Sequence, residues 1–234
     1  MTQKVKVFCF YLLVVMLSLS FIGCNASQLG GKNKNIEKVE STVAEKKKAS
    51  LLKKLERKYE DAQAHFELGR LHQKDGLWMQ AEQEYSIALS FDPVHREAQA
   101  ARIKVMLDSG DKSRVDILSE EYINQAATSA LGSLKLALAF QGHGLDEYAL
   151  TCYQQALRLA PNSARVNRQI GYYYLSKGNK VQAQDYLSRS FQLDPMQPEV
   201  AGELGRLGVS IRIPTVSVDA RKLDRAVDKS MKNK

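Results

Sequence analysis

Proline and glycine are scarce in this chain of 234 residues, at five and fourteen. That scarcity excludes a largely disordered or low-complexity chain. Cysteine is scarcer still: only Cys9, Cys24 and Cys152 occur. Cys9 and Cys24 fall in and at the end of an apolar leader, so Cys152 stands alone in the body and no internal disulfide is available to it. No histidine or basic residue stands within a helical turn on its face to lower its pKa, so it reads as a small buried apolar residue and not as a nucleophile. The four histidines are scattered. His65 and His72 are two helical turns apart, about 10.5 Å, too far to share a metal. His95 and His143 fall in turns, and pairs such as Glu120-Glu121 read as solvated faces. The patterns GxSxG, HExxH, CxxC and GxxxxGK[ST] are all missing. No acid/base pair or activated nucleophile emerges, so the chain does not read as an enzyme, and no cofactor or metal is expected.

What is present is charge, unevenly placed. The formal net charge is +8. Residues 62–208 hold fifteen basic and seventeen acidic side chains, whereas 24–61 hold ten and six and 209–234 hold seven and three. The central body is slightly acidic and the basicity belongs to the ends. A nucleic-acid ligand would require a basic face on the folded body, so none is expected.

The leader, MTQKVKVFCFYLLVVMLSLSFIGC, has a short cationic start and an apolar run from Val7. That run is about 17 residues, shorter than the ~20 of a bilayer span, and matches a secretory signal. It closes on Phe21-Ile22-Gly23-Cys24, which resembles the lipobox of bacterial lipoproteins, with Phe21 where leucine is usual. The resemblance implies cleavage after residue 23 and acylation of Cys24, and two or more chains hold a protein on a membrane stably. Asn25 stands where an aspartate would retain an enterobacterial lipoprotein at the inner membrane. The resemblance therefore implies an outer-membrane address facing the periplasm.

Residues 24–42 read as a flexible tether, because ASQLGGKNKN at 26–35 is rich in Gly, Asn and Lys and lacks an apolar period. Residues 43–61 read as a lead-in helix, with Leu51, Leu55 and Tyr59 at i, i+4 and i+8. Its lysines and arginines read as a solvated face.

From Ala62 the chain repeats. YSIALSFDP at 85–93, YQQALRLAP at 153–161 and LSRSFQLDP at 187–195 close on Pro93, Pro161 and Pro195, separated by 68 and 34 residues. Units then begin at 62, 96, 130 and 164. Position 7 carries Leu68, Leu136 and Ile170; position 8 carries Gly69, Ala137 and Gly171; position 15 carries Gly76, Gly110, Gly144 and Gly178; position 20 carries Ala81, Ala149 and Ala183. Small residues at 8 and 20 let two helices approach closely. The glycine at 15 provides a left-handed cap, and the proline at 32 stops the second helix. This pattern resembles the tetratricopeptide repeat. The fold implied is an all-α solenoid of about four helical hairpins spanning 62–208, with units 62–95, 96–129, 130–163 and 164–197. The second unit is degenerate: Arg102, Ile103, Val115 and Ser119 replace the usual Leu, Gly, Ala and aromatic, so its helices should pack less closely. Residues 198–208 should cap the solenoid end. A basic tail, 209–234, follows; its stretch 210–218 alternates apolar residues.

The same resemblance implies that positions 2, 5, 9 and 12 of each first helix line a concave wall that contacts peptides. The candidate partner-binding residues on it are Phe66, Arg70, Lys104, Leu131, Leu134, Leu138, Arg165, Arg168, Tyr172 and Leu175. Leu131, Leu134, Leu138, Tyr172 and Leu175 should form an apolar patch flanked by the two arginines. Such a patch asks for a cover. Two covers stand about even: an envelope protein or peptide segment, and an internal element such as the lead-in helix or the tail. Tetratricopeptide lipoproteins of this size resemble pilotins and other assembly factors of pili, secretion systems and the outer membrane. The reading is a lipid-anchored scaffold that binds a protein partner; the alternative is a regulator docking peptidoglycan synthases or hydrolases. Neither the partner nor the oligomeric state is legible.

Overall fold

The computed structural model describes residues 31–210, with side chains from residue 43 onward. The expected signal peptide 1–23, Cys24 and Asn25, and tail residues 211–234 lie outside the described residues. Among the described residues no helix is long and apolar enough to cross a membrane. The structure divides at Arg57 into two units.

The first unit contributes helix α1, Gly31–Arg57. The tether expected over 24–42 is therefore helical from Gly31, and the lead-in helix ends at Arg57 instead of residue 61. The glycines and asparagines of 30–35 suggest a spacer, but Lys32, Lys34, Glu37, Lys38 and Glu40 are good helix formers that lose little rotamer freedom in a helix. Lys54 and Arg57 lie in the last turn of α1, where cations complement the helix dipole.

The second unit is built of helices alone among its described residues. α2 is Ala62–Lys74, α3 Trp78–Phe91, α4 Arg96–Asp108, α5 Lys112–Ala126, α6 Ala130–Gly142, α7 Asp146–Leu159, α8 Ala164–Ser176, α9 Lys180–Leu193 and α10 Pro198–Arg206. Consecutive helices pair as α2–α3, α4–α5, α6–α7 and α8–α9, with α10 packed on α9. This is the all-α solenoid that the repeat pattern implies.

Local chemistry sets these boundaries in register. Asp61, His95, Ser129 and Ser163, 34 residues apart, each cap a first helix by accepting the backbone N–H of the residue three further on, at 2.9, 3.2, 3.0 and 3.3 Å. Each first helix ends at a glycine with positive φ: 73° at Gly76, 87° at Gly110, 71° at Gly144 and 73° at Gly178. A side chain there would meet the left-handed penalty that glycine escapes. α5 lacks the terminal proline and runs one residue further along its unit than α3, α7 and α9, to Ala126.

Residues at position 4 of the first helices add an element that composition does not reveal. His65, Gln99, Ser133 and Asn167 are all buried. His65 Nε2 lies 2.9 Å from Tyr59 O, Gln99 Nε2 donates to Pro93 O at 2.8 Å, Ser133 Oγ to Ala126 O at 3.1 Å, and Asn167 Nδ2 to Pro161 O at 3.1 Å. Each side chain ties its helix to a carbonyl six or seven residues back, in the segment leading into the unit. These bonds satisfy buried side-chain polar groups that would otherwise cost about 1–3 kcal/mol each. His65 Nδ1 also lies 2.7 Å from Glu84 Oε2, in hydrogen-bond contact.

Pair geometry follows the small residues. In α2–α3 an ideal Cβ on Gly69 would lie 2.7 Å from the Tyr85 ring, and in α8–α9 one on Gly171 would lie 2.6 Å from Leu187. Those two pairs close tightly because position 8 has no side chain. In α4–α5 the same positions carry Ile103 and Ser119, both buried. Ile103 puts a β-branched side chain where the other pairs have glycine or alanine, and α4 and α5 make far less contact than the other pairs, as the degenerate repeat leads one to expect. α4 compensates by packing against α3 and α6. One core cluster runs from Phe66 to Tyr173; a second joins Leu187 and Phe191 to Val200, Ala201 and Leu204 of α10.

Candidate protein-binding wall

The first helices α2, α4, α6 and α8 carry the candidate residues, and the structure sorts them into three groups. Leu131 and Leu138 on α6 are 47% and 37% exposed. They are seven residues apart, two turns, and share one helix face. Arg70 on α2 and Arg165 on α8 are also exposed, and neither makes an ion pair among the described residues. The Arg70 guanidinium stands 5.9 Å over the Phe66 ring, a contact that steadies it without neutralising its charge.

A second group is internal. Leu134 is only 1% exposed and Phe66 6%, both in the main core cluster. The expectation that they face the open wall is corrected. α4 packs on α6, and Leu134 lies at position 5 of α6, within the main core cluster. Phe66 is held between the Tyr85 and His95 rings, with centroids 5.8 and 4.7 Å away.

A third group is occupied by intramolecular partners. Tyr172 and Leu175 are half-buried against the cluster that α10 completes. Arg168 Nη1 donates to Gln197 Oε1 at 3.1 Å and Glu199 Oε1 at 3.0 Å, at the start of α10. Lys104 pairs with Asp108 one turn along α4. The expected five-residue apolar patch therefore divides: α10 covers one part, the core takes Leu134, and Leu131 and Leu138 remain open.

Between these residues the wall is polar and held by its own bonds. Tyr85 OH donates to Gln73 Oε1 at 2.6 Å and Tyr153 OH to Gln141 Oε1 at 2.5 Å, the same bond in two units. Burial pushes both phenols well above their ordinary range, which keeps them neutral donors. His143 Nε2 stands 3.7 Å from Glu97 Oε2. Hydrogen bonding to His143 holds the Glu97 carboxyl below the usual range, against the opposing effect of partial burial. Cys152 is buried, and desolvation pushes its thiol up to about 12, so it has no nucleophilic character at neutral pH. Among the described residues no group of three His, Cys, Asp or Glu side chains is placed to hold a metal.

Chemically, such a wall can hold a partner by apolar contact at Leu131 and Leu138 and by carboxylate contact at Arg70 and Arg165. No family model and no curated protein matches the chain. Solved structures similar to it include a MamA protein (20% identical, 63% of this chain and 81% of that chain covered, TM-score 0.38). They also include YrrB, described as a TPR protein with an unusual peptide-binding site (16%, 72% and 88%, TM-score 0.37). A third is Pseudomonas aeruginosa PilF (25%, 63% and 68%, TM-score 0.37).

Proposed function

We propose that this chain is a lipid-anchored adaptor of a bacterial envelope. Cys24 carries the acyl chains, and the repeat unit holds a segment of another envelope protein against its first-helix wall. The complex assisted is a pilus, secretion or outer-membrane assembly, and the address is the outer membrane facing the periplasm. The role is binding, not catalysis. The observation that carries this reading is the pair Leu131 and Leu138, exposed on one face of α6, with the exposed cations Arg70 on α2 and Arg165 on α8 along the same row of first helices. An extended or helical segment bearing apolar and acidic side chains fits that surface.

The test is crosslinking in cells followed by purification of wild type and of a Leu131→Asp, Leu138→Asp variant. Both positions are exposed, so the variant should keep its helical circular dichroism. An envelope protein captured by wild type and lost from the variant supports the adaptor. Unchanged capture removes the wall from the account. A second reading, a regulator docked on peptidoglycan enzymes, draws on the basic residues 24–61 and 209–234. It requires co-sedimentation with isolated sacculi that falls as salt rises.

A further inference from the structure

In sequence the basic residues of 43–57 read as a solvated face. The helical onset at Gly31 gives those charges a geometry. At about 100° per residue, Val43, Lys46, Ser50, Lys53 and Arg57 fall within about 80° of arc on α1. All five are exposed. No acidic residue of 43–57 shares that stripe: Glu45 and Glu56 lie about 100° or more from its centre. The buried Leu51 and Leu55 lie about 120° and 160° from it, so the stripe is turned away from the covered side of α1. Among the described residues, Lys46, Lys53 and Arg57 enter no ion pair.

The chain between Cys24 and α1 says what lies near the stripe. Only residues 25–30 separate them, a reach of at most about 25 Å when extended. α1 itself has 27 residues and is about 40 Å long. With Cys24 held in a bilayer, α1 has two extreme attitudes. Upright, Lys46 and Arg57 stand about 22 and 39 Å further from the headgroups than Gly31 does, several times the ~8 Å over which charges act in physiological salt. The stripe then gains nothing. Flat, the three cations and Val43 meet the surface together. The short connection makes that contact intramolecular, so a weak attraction at each cation suffices. No described helix is long and apolar enough to cross the bilayer, so the contact stays at headgroup level.

We propose that the stripe of Lys46, Lys53 and Arg57 on α1 lies on an anionic phospholipid surface, with the cations on headgroup phosphates and Val43 among them. Phosphate oxygens accept the charge-assisted bonds that no described carboxylate supplies to these three side chains. The proposal deepens the anchored-adaptor reading and rests on it for the nearness of the membrane. The surface is separate from the first-helix wall.

The experiment places a photoreactive residue at Ser50, within the stripe, or at Leu52, exposed about 140° from its centre. The full chain is purified from membranes in nonionic detergent. It is then reconstituted into vesicles of phosphatidylcholine, either alone or with one third phosphatidylglycerol. Flotation with the neutral vesicles reads the anchor, and phospholipid adducts read the stripe. The expected result is a lipid adduct from 50 and not from 52 in the anionic vesicles. That adduct should fall about tenfold or more in neutral vesicles, in ~1 M salt, and in the Lys46→Gln, Lys53→Gln, Arg57→Gln variant. All three positions are exposed, so the variant keeps its helical circular dichroism and still floats. Four results in a chain that floats would overturn the stripe and leave the anchor standing: no lipid adduct from 50, an equal adduct in neutral vesicles, an undiminished adduct in the triple variant, or a crosslink between two copies in its place. A chain that does not float with neutral vesicles overturns the anchor and this proposal with it.

Discussion

Replacing Gly171 by alanine puts a methyl group where α8 and α9 cross. An ideal Cβ would stand 2.6 Å from both Cγ and Cδ2 of Leu187 and 3.2 Å from its backbone nitrogen. Apolar carbons prefer about 3.5–4.0 Å, so the methyl is about 1 Å too close. Leu187 is fully buried in the cluster with Val200 and Leu204. Its branch has nowhere to turn, and its backbone moves only if the helices part. Overpacking of this kind costs roughly 1–3 kcal/mol, and a 2.6 Å contact belongs near the upper end. Against it, alanine gains about 1 kcal/mol of helix propensity over glycine. The net expectation is a loss of about 1–2 kcal/mol, or a Tm lower by about 3–6 °C. Urea and thermal unfolding of Gly171→Ala, Leu187→Ala and the double variant form a cycle. Leu187→Ala makes room, so in that background the alanine should cost nothing or stabilise, giving a coupling of about 1 kcal/mol or more. A single Gly171→Ala variant more stable than wild type, or a cycle without coupling, would refute the close-approach reasoning.

Other consequences concern the caps, the position-4 bonds and the buried thiol. Gly110→Ala forces a Cβ onto a φ of 87° and should cost about 1–2 kcal/mol in urea unfolding. Gly202→Ala, on an open helical face, should stabilise by about 0.5–1 kcal/mol. Asn167→Leu loses the bonds to Pro161 O and Ser163 O and should cost about 1–3 kcal/mol, with amide exchange accelerated first in α8. For Cys152, burial raises the folded-state pKa to about 12, against a weaker opposing pull from Arg96. An unfolded thiol ionises near 8.5, so this contribution is intact below about pH 8.5 and falls by about 1.4 kcal/mol per pH unit as pH rises toward 12. Cys152→Ala should remove that slope from urea titrations between pH 8 and 10, and the native thiol should resist iodoacetamide until urea unfolds the chain.

The repeat was legible because its punctuation is chemically specific. Only glycine tolerates positive φ at Gly76, Gly110, Gly144 and Gly178 at no cost, and Pro93, Pro161 and Pro195 stop helices, so these residues recur as letters. The position-4 bonds were not legible because His65, Gln99, Ser133 and Asn167 share a role and not an identity; their spacing was the one available signal. The burial of Leu134 depends on how α6 packs on the first helix of the neighbouring unit, which a single unit does not reveal. Tyr172 and Leu175 look exposed in a single unit and are half-buried only because α10 ends the stack. The helical onset at Gly31 was masked by glycine and asparagine interspersed among good helix formers. The four departures at 102, 103, 115 and 119 were visible in sequence as irregularities, but how little α4 and α5 touch is visible only once α5 is placed.

The binding wall is tested most directly by site-specific photocrosslinking in living cells. A photoreactive residue is placed in turn at Arg70, Leu131 and Leu138 on the first helices and at Thr151, Gln154 and Gln184 on the second helices, all exposed. If the first-helix wall holds an envelope partner, one and the same adduct forms from 70, 131 and 138 and not from 151, 154 or 184. Adducts from the second helices alone, or the same adduct from both sets, would contradict that assignment.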